Sequence, residues 1–248
     1  MLAMMRCRNK QIGFTLVEMA VVLVIVGLLV GSFIGTLAGR IETTRIHNTE
    51  KEMEEIKRVL MAYAFTQTPP YLPCPDTDAF PDGMEDRNGF TGQCIPSLAG
   101  NMGVLPWVTL GLAYDDAWGM RYSYWADVNY TVNTGFNLTT DDTVGAATIE
   151  TRVSDTKEDM VTNAVAVILS HGKNGYGGID TNDNARAFPA AGTFVDEQEN
   201  TDVDTTFMSR PLTGQQAATV GGEFDDILTW INSYELKAKM VETGVLPP

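Results

Sequence analysis

The feature that most constrains this chain is a run of 20 residues, Met19 to Ala38, without a charged side chain. As an α-helix such a run is about 30 Å long, which is the thickness of the hydrocarbon core of a bilayer. The basic residues Arg6, Arg8 and Lys10 precede it, and basic residues beside a membrane helix stay on the cytoplasmic side. We therefore expect a single-pass helix with most of the chain outside the cytoplasm.

Glu18 lies directly before this run, in the stretch GFTLVE at residues 13–18. A carboxylate at the centre of a membrane helix costs roughly 2.5 to 3.5 kcal/mol, so a glutamate at its edge needs an explanation. The run is longer than the apolar segment of a secretory signal peptide, and no small-residue cleavage site follows it. A plain membrane anchor would explain the apolar run, but not Glu18 or the sharp junction between Gly13 and Phe14.

With its basic leader and the apolar helix after it, GFTLVE resembles the class III signal of type IV prepilins and type II secretion pseudopilins. The resemblance implies that a prepilin peptidase cleaves between Gly13 and Phe14, and that the new N-terminus at Phe14 is methylated. It also implies that Glu18 neutralises the N-terminal ammonium of a neighbouring subunit during assembly. Because a buried charge without a partner costs several kcal/mol, this pairing would favour the correct axial register.

The resemblance divides the chain into a cleaved leader (1–13), a transmembrane or filament-core helix (14–39) and a head outside the cytoplasm (40–248). Glycine recurs at every fourth position of the helix, at Gly27, Gly31, Gly35 and Gly39. Small residues at this spacing let helices approach closely. The same glycines would also permit local unwinding of the helix in a filament.

Composition excludes some classes of function. The formal net charge is −15, and it becomes −18 without residues 1–13, which carry three basic and no acidic side chains. Nucleic-acid binding requires clustered basic residues, so we expect none here. Neither a nucleophile elbow nor a P-loop is complete around Ser170 and His171. We therefore predict no catalytic residue and no enzyme.

Cys74 and Cys94 are the two cysteines that remain once the leader, with Cys7, is removed. An even pair in an oxidising compartment predicts a disulfide. It would close a loop of roughly 20 residues and contribute about 3 kcal/mol in the chain-entropy model.

The coarse pattern of the head predicts an α+β fold of pilin-like type, in which the long N-terminal helix packs on a C-terminal antiparallel β-sheet. The helix should continue to about residue 66, because one stripe recurs in steps of three and four: Ile46, Thr49, Met53, Ile56, Leu60 and Tyr63. Strands are predicted near 120–126, 144–153, 162–170 and 224–231, and a short helix at 234–242 with Ser233 as its N-cap. The segments 67–118 and 182–222 are predicted to be loops.

A second resemblance covers the C-terminal half, where the order of motifs is similar to that of major pseudopilins. The matching residues are Asp116, Trp118 and Gly119, then Gly172, Gly175, Gly177 and Gly178, then Asp226, Ile227 and Trp230. This resemblance implies a calcium site near the last motif, with Asp225 and Asp226 as ligands. Without it, the acidic loops are solvated surface and the chain has no cofactor.

The sequence thus predicts a structural subunit of a type IV pilus or a type II secretion pseudopilus. Its expected partners are the prepilin peptidase, other pilin or pseudopilin subunits, an inner-membrane assembly platform and membrane lipid. The alternative is a membrane-anchored periplasmic binding module that does not polymerise. Whether the filament is a pilus or a pseudopilus, and whether the subunit is major or minor, stays open.

Overall fold

The computed structural model describes residues 13–96, 102–142, 145–190, 193–202, 204–214 and 220–246, with residues 32–38 described by their backbone alone. Of the predicted leader, only Gly13 falls within the described residues. The chain forms two compact units, Met1–Thr44 and Arg45–Pro248.

The first unit contains the start of helix α1, Leu16–Thr66. Its apolar side chains are exposed from Phe14 to Val30. Among the described residues, no helix combines the length and the hydropathy that crossing a membrane requires. The single-pass span therefore stays a prediction.

From Arg45 onward, α1 belongs to the second unit and forms one wall of its core. Its side chains at Thr49, Met53, Ile56 and Leu60 are buried, which confirms the predicted stripe. Burial of such a stripe against other apolar side chains contributes about 25 cal/mol for each Å² removed from water. The helix ends at Thr66, as predicted.

Six strands form one sheet: β1 Met102–Val104, β2 Ser123–Ala126, β3 Ala147–Val153, β4 Thr156–Ser170, β5 Thr206–Met208 and β6 Ile227–Asn232. The shorter helices are α2 Trp107–Leu110, α3 Val128–Thr131, α4 Val195–Glu199 and α5 Ser233–Glu242. Neighbouring strands follow the order β1-β2-β4-β3-β5. Strand β6 is not part of this path and pairs with β4.

Strand β4 is the centre of the sheet. Its residue Ala164 pairs with Ala147 of β3 on one side and with Asn232 of β6 on the other. The residues from Ala164 to Ser170 are all buried. The strand predicted at 162–170 is thus present and central, although it begins earlier, at Thr156.

The prediction of a purely antiparallel sheet is wrong, because β5 runs parallel to β3, with Ile149 opposite Phe207. Most of the described part of 182–222 lies outside helices and strands, as predicted, but α4 and β5 both lie in this segment. Phe207 and Met208 are buried, but so short an apolar stretch gives no periodic signal.

Buried ion pairs explain why this polar segment is ordered. Asp196 of α4 is fully buried between two arginines. Arg152 Nε lies 2.8 Å from Asp196 Oδ2, and Arg210 Nε lies 2.7 Å from the same oxygen. The carboxylate is thus compensated inside the protein, which a buried charge requires. Composition alone suggested a solvated loop.

Each face of the sheet carries its own core. On β2, Tyr124 and Ala126 belong to the core that contains α1. Trp125 points to the opposite face and packs on Phe207 of β5, with ring centroids 6.0 Å apart. This alternation is the two-residue period of a strand that is buried on both faces.

The structure contains the predicted disulfide between Cys74 and Cys94, whose Cα atoms lie 5.3 Å apart. Arg87 organises the enclosed loop from within. Its guanidinium donates to the carbonyls of Gly92, Thr131 and Leu72, and to the carboxylate of Glu85. The segment predicted to be a loop at 67–118 also contains β1 and α2.

The C-terminal helix α5 begins and ends close to the predicted positions. Its N-cap is Asn232, whose side chain accepts a hydrogen bond from the backbone of Tyr234, rather than the predicted Ser233. Either residue type can cap a helix, so only the backbone conformation decides between neighbours. Gly244 follows the helix with a positive φ of 74°, as a terminating glycine does.

Candidate functional site

The predicted cleavage junction lies before the first turn of α1. Gly13 and Phe14 are exposed and lie outside the helix, which begins at Leu16. A Cβ atom added to Gly13 would meet no other atom within 4 Å. The fold of the chain therefore gives no reason for a glycine at this position, and the requirement for it would come from an enzyme that binds the junction.

Glu18 caps the helix in which it lies. The carboxylate oxygen Oε2 accepts hydrogen bonds from the backbone N–H of Thr15 at 3.0 Å and from its hydroxyl at 2.9 Å. The Thr15 hydroxyl oxygen in turn accepts from the backbone N–H of Glu18 at 3.2 Å. This reciprocal arrangement is a capping box, which satisfies N–H groups that have no partner within the helix. The spacing Thr15-x-x-Glu18 is the sequence signature of this motif, although the sequence prediction for Glu18 was an assembly role alone.

Gly27, Gly31 and Gly39 have no packing partner among the described residues. A Cβ atom added to Gly27, Gly31 or Gly39 would meet nothing within 4 Å. The surroundings of Gly35 lie outside the described residues.

Comparison with known families supports the reading of this region. Residues 8–34 match the family model of the prokaryotic N-terminal methylation motif. The match includes the Gly13–Phe14 junction, Glu18 and most of the uncharged run. The chain thus carries a class III signal peptide of the kind found in type IV prepilins and pseudopilins. No curated protein and no solved structure matched the chain.

A cluster of three carboxylates forms a second candidate site, in the head. Asp225 and Asp226, which were predicted as calcium ligands, lie directly before β6. The structure adds Glu197 from α4, and one carboxylate oxygen from each residue lies within 4.8 Å of the others. Glu197 is nearly 30 positions away in the sequence, so no local pattern could have joined it to the two aspartates.

Asparagine amides and backbone N–H groups hold the cluster in place. Asn174 Nδ2 donates to the carboxylate of Glu197, with distances of 3.0 and 3.1 Å to its two oxygens. The backbone N–H of Asp225 donates to Glu197 Oε1 at 2.9 Å. Asn200 Nδ2 donates to Asp226 Oδ2 at 2.8 Å. These donors are all neutral, and they fix the positions of the carboxylates without compensating their charge.

The surroundings of Glu197 and Asp226 disfavour their charged forms. Burial, with repulsion from Asp225 as a further cause, raises the pKa of Glu197 to about 7. Burial and then the charges of Glu197 and Asp225 raise the pKa of Asp226 well above its usual value. Among the described residues, neither Glu197 nor Asp226 forms an ion pair, and the buried Asp226 Oδ1 accepts no hydrogen bond. Three carboxylate oxygens this close together, one of them the unpartnered Asp226 Oδ1, are ligands of the type that a hard divalent cation such as calcium prefers.

A second acidic group lies in the disulfide loop, where backbone N–H groups donate hydrogen bonds to its buried carboxylate. Asp76, Asp78 and Asp86 also bring one oxygen each within 4.8 Å. The backbone N–H groups of Asp78 and Gly83 donate to the two oxygens of Asp76. Each oxygen of the buried Asp76 carboxylate therefore accepts a hydrogen bond that closes a turn of the disulfide loop.

Ser170 and His171 do not form a nucleophile–base pair. The hydroxyl of Ser170 donates to Asp116 Oδ2 at 2.5 Å, and His171 Nε2 lies 2.8 Å from the hydroxyl oxygen of Ser123. Burial lowers the pKa of His171 to about 4, so the imidazole is neutral near pH 7. Asp116 also accepts from the backbone of Met120, which closes a turn.

Proposed function

We propose that this chain is a structural subunit of a type IV pilus or a type II secretion pseudopilus. The methylation motif at residues 8–34 carries the proposal. The helix of residues 14–39 resides in the inner membrane as a single span, with the head outside the cytoplasm. Prepilin peptidase removes residues 1–13, Phe14 is methylated, and an assembly platform moves the subunit into a helical array of like helices.

Glu18 has a separate task in each of the two states. In the isolated chain its carboxylate bonds to Thr15, as the capping distances of 2.9 and 3.0 Å support. In the filament it pairs with the ammonium of a neighbouring Phe14. The donors of Thr15 both reach Oε2, and within the described residues Oε1 accepts no hydrogen bond. The ammonium can therefore bind at Oε1 while the cap persists.

The glycine repeat lets the helices of neighbouring subunits pack closely in the same array. The open space beside Gly27, Gly31 and Gly39 supports close approach of a helix from another subunit. The head is then a pilin-like domain, in which the second half of α1 packs on the sheet.

We further propose that the cluster of Glu197, Asp225 and Asp226 binds calcium. The unpartnered, buried Asp226 Oδ1 supports this proposal. When bound, calcium would compensate most of the charge of the three carboxylates. Because Glu197 lies on α4 and the aspartates lie next to β6, these side chains would then hold the polar segment against the sheet.

The test is mass spectrometry of sheared surface filaments, combined with electron microscopy, from cells that express the chain. We expect a processed chain that begins at Phe14, carries one methyl group and is incorporated into filaments. A processed chain found only in the membrane fraction would favour the alternative, a membrane-anchored binding module. An intact Met1 terminus in cells with active prepilin peptidase would exclude the whole proposal.

A further inference from the structure

The head contains two copies of the N-glycosylation sequon Asn-x-Thr, at residues 129–131 and 137–139. In this motif the asparagine accepts a sugar, and the threonine two positions later is required for recognition. A glycosyltransferase can modify a folded protein only where the motif is accessible at the surface. The surroundings of the two sequons therefore decide which of them can be modified.

The sequon at 137–139 lies open at the surface. Asn137, Leu138 and Thr139 are all exposed and belong to no helix or strand. The backbone N–H of Thr140 donates to the carbonyl of Asn137 at 3.2 Å, which closes a turn. Lys237 Nζ donates to the carbonyl of Thr140 at 2.7 Å and so fixes the end of this turn to α5. The sequon is thus presented to solvent in a defined conformation.

The side chains of this sequon bond to each other. Asn137 Oδ1 accepts hydrogen bonds from the backbone N–H of Thr139 at 2.8 Å and from its hydroxyl at 2.7 Å. Because a backbone N–H can only donate, the atom that faces Thr139 is the amide oxygen, and the nitrogen Nδ2 lies on the other side. Within the described part of the chain, Nδ2 donates no hydrogen bond. The atom that would bind a sugar is therefore on the open side of an Asx turn.

This geometry suits the chemistry of sugar transfer. An amide nitrogen is a weak nucleophile, because its lone pair is delocalised towards the carbonyl oxygen, and it must lose a proton when it attacks. The two hydrogen bonds to Asn137 Oδ1 withdraw electron density from the amide and make the N–H groups of Nδ2 more acidic. A base of the transferase can then remove the proton. The shorter of the two bonds comes from the hydroxyl of Thr139, which is the group that the sequon requires.

The sequon at 129–131 is closed by the fold. Its three residues belong to α3, and Tyr130 and Thr131 are buried. The hydroxyl of Thr131 donates to the carbonyl of Val128 at 3.4 Å. The backbone N–H of Asn129 donates to Asp127 Oδ1 at 2.8 Å, which caps the helix. A transferase could bind this sequon only if α3 unfolded, so it is a control within the same chain.

The space beside Asn137 can hold a sugar. Asn137 lines an open groove of about 430 Å³, to which Phe65, Phe136 and Leu246 contribute apolar side chains. The first sugar would lie over these side chains and shield them from water, and no packed core would have to move.

We propose that Asn137 is an N-glycosylation site and that Asn129 is not. The sugar donor is a glycan carried on a lipid diphosphate. A bond forms between Asn137 Nδ2 and the anomeric carbon of the first sugar, and the bond from that carbon to the diphosphate oxygen breaks. The amide proton passes to a base of the transferase, and the diphosphate leaves with the electron pair. The proposal rests on the proposed function in one respect, because the head must lie outside the cytoplasm, on the side where lipid-linked glycans are transferred.

The test is mass spectrometry of the full-length chain from its own cells, with fragmentation that leaves glycans attached. Chymotrypsin separates the two sequons by cleavage after Tyr130. We expect a glycan on the peptide that contains Asn137 and none on the peptide that contains Asn129. Thr139→Ala should abolish the modification although Asn137 remains, and Thr139→Ser should retain it.

A reconstituted reaction tests the accessibility of the two sequons directly. The purified chain is incubated with a lipid-linked oligosaccharide and an oligosaccharyltransferase that accepts the three-residue sequon. Synthetic peptides of residues 125–133 and 133–141 are the controls, and we expect both to be glycosylated. In the folded chain only Asn137 should be modified, because α3 closes the other site.

Three results would overturn the proposal: an unmodified Asn137 in chains recovered from cells, equal modification of Asn129 and Asn137 in the folded chain, or a glycan that persists in Thr139→Ala. A chain that begins at Phe14 and carries no glycan would refute this site and leave the proposed filament function intact. A glycosylated chain that keeps Met1 would refute the proposed processing and leave the glycosylation site intact.

Discussion

At the scale of single residues, Glu18 caps α1, and substitutions can separate this cap from the charge pairing that we propose for it. Glutamine at this position keeps an oxygen that can accept from the N–H of Thr15, but it carries no charge. Alanine removes both the cap and the charge. The two variants therefore distinguish a helix-capping role from a charge-pairing role.

We predict that Glu18→Gln and Glu18→Ala both insert into the membrane and both fail to enter filaments efficiently. Removal of an acidic group lowers the cost of insertion, and without the charge a neighbouring ammonium has no partner. The ratio of each variant to wild type in sheared filaments, measured by mass spectrometry, tests this. Should Glu18→Gln incorporate as well as wild type, the carboxylate would be needed only as a cap.

The raised pKa of Glu197 predicts that the stability of the folded chain depends on pH in an unusual way. Its pKa of about 7 in the folded chain exceeds the ordinary glutamate value of 4.5. Protonation therefore favours the folded state, and this contribution is complete below pH 4.5 and disappears as pH rises through 7. In chelator, we expect the melting temperature of wild type to rise between pH 7 and pH 5 relative to Glu197→Gln. If the two melting curves shift in parallel with pH, the site does not titrate in this range.

At the scale of elements, the disulfide and the carboxylate cluster each stabilise a polar segment by a different means. The bridge between Cys74 and Cys94 restricts the unfolded chain, whereas a bound cation would act on the folded state alone. The loss of stability on removal of the disulfide should therefore not depend on added metal, whereas the loss on removal of a cluster carboxylate should depend on it.

Cys74→Ser should lower the free energy of unfolding by roughly 2 to 5 kcal/mol, because the loop of the disulfide is no longer closed. Urea denaturation followed by intrinsic fluorescence measures the loss. Cys7→Ser is the matched control and should have no effect, since this residue lies in the predicted leader. Two thiols in the native wild-type chain that react freely with an alkylating reagent would contradict the bridge.

Calcium at 100 times its dissociation constant should stabilise the folded head by about 2.7 kcal/mol, or roughly 5 to 10 °C in melting temperature for a domain of this size. The shift should disappear in Asp226→Asn, because one of three charged ligands is lost. Asp78→Asn, in the acidic group of the disulfide loop, is the control that should retain it. A shift below about 1 °C at millimolar calcium would leave the cluster without a cation.

At the scale of the whole molecule, the sequence predicted the parts that depend on local periodicity. The buried stripe of α1 and the apolar segment of β4 repeat at the period of their own element, so their burial was visible in advance. The position of β5 depends on a pairing with β3 more than 50 residues away, and no local pattern encodes it. Glu197 was missed for the same reason, since only the folded chain brings α4 to Asp226.

Processing is the prediction that concerns the chain as a whole. Replacement of Gly13 by a bulky residue should block cleavage, although the fold has room for a side chain there. Mass spectrometry of the membrane fraction should then find the unprocessed chain, while wild type begins at Phe14. Normal cleavage of Gly13→Leu would show that the peptidase does not require a small residue at this position.

The cap formed by Glu18 has a consequence for the reversibility of assembly. If the carboxylate were isolated in the membrane, its pairing in a filament would release the whole cost of an unpartnered charge, and subunits would be trapped. Because Thr15 already donates two hydrogen bonds to it, the pairing releases only part of that cost. If the proposed pairing forms in a filament, a subunit with this cap leaves the filament and returns to the membrane at a lower energetic cost than a subunit whose carboxylate has no partner in the membrane.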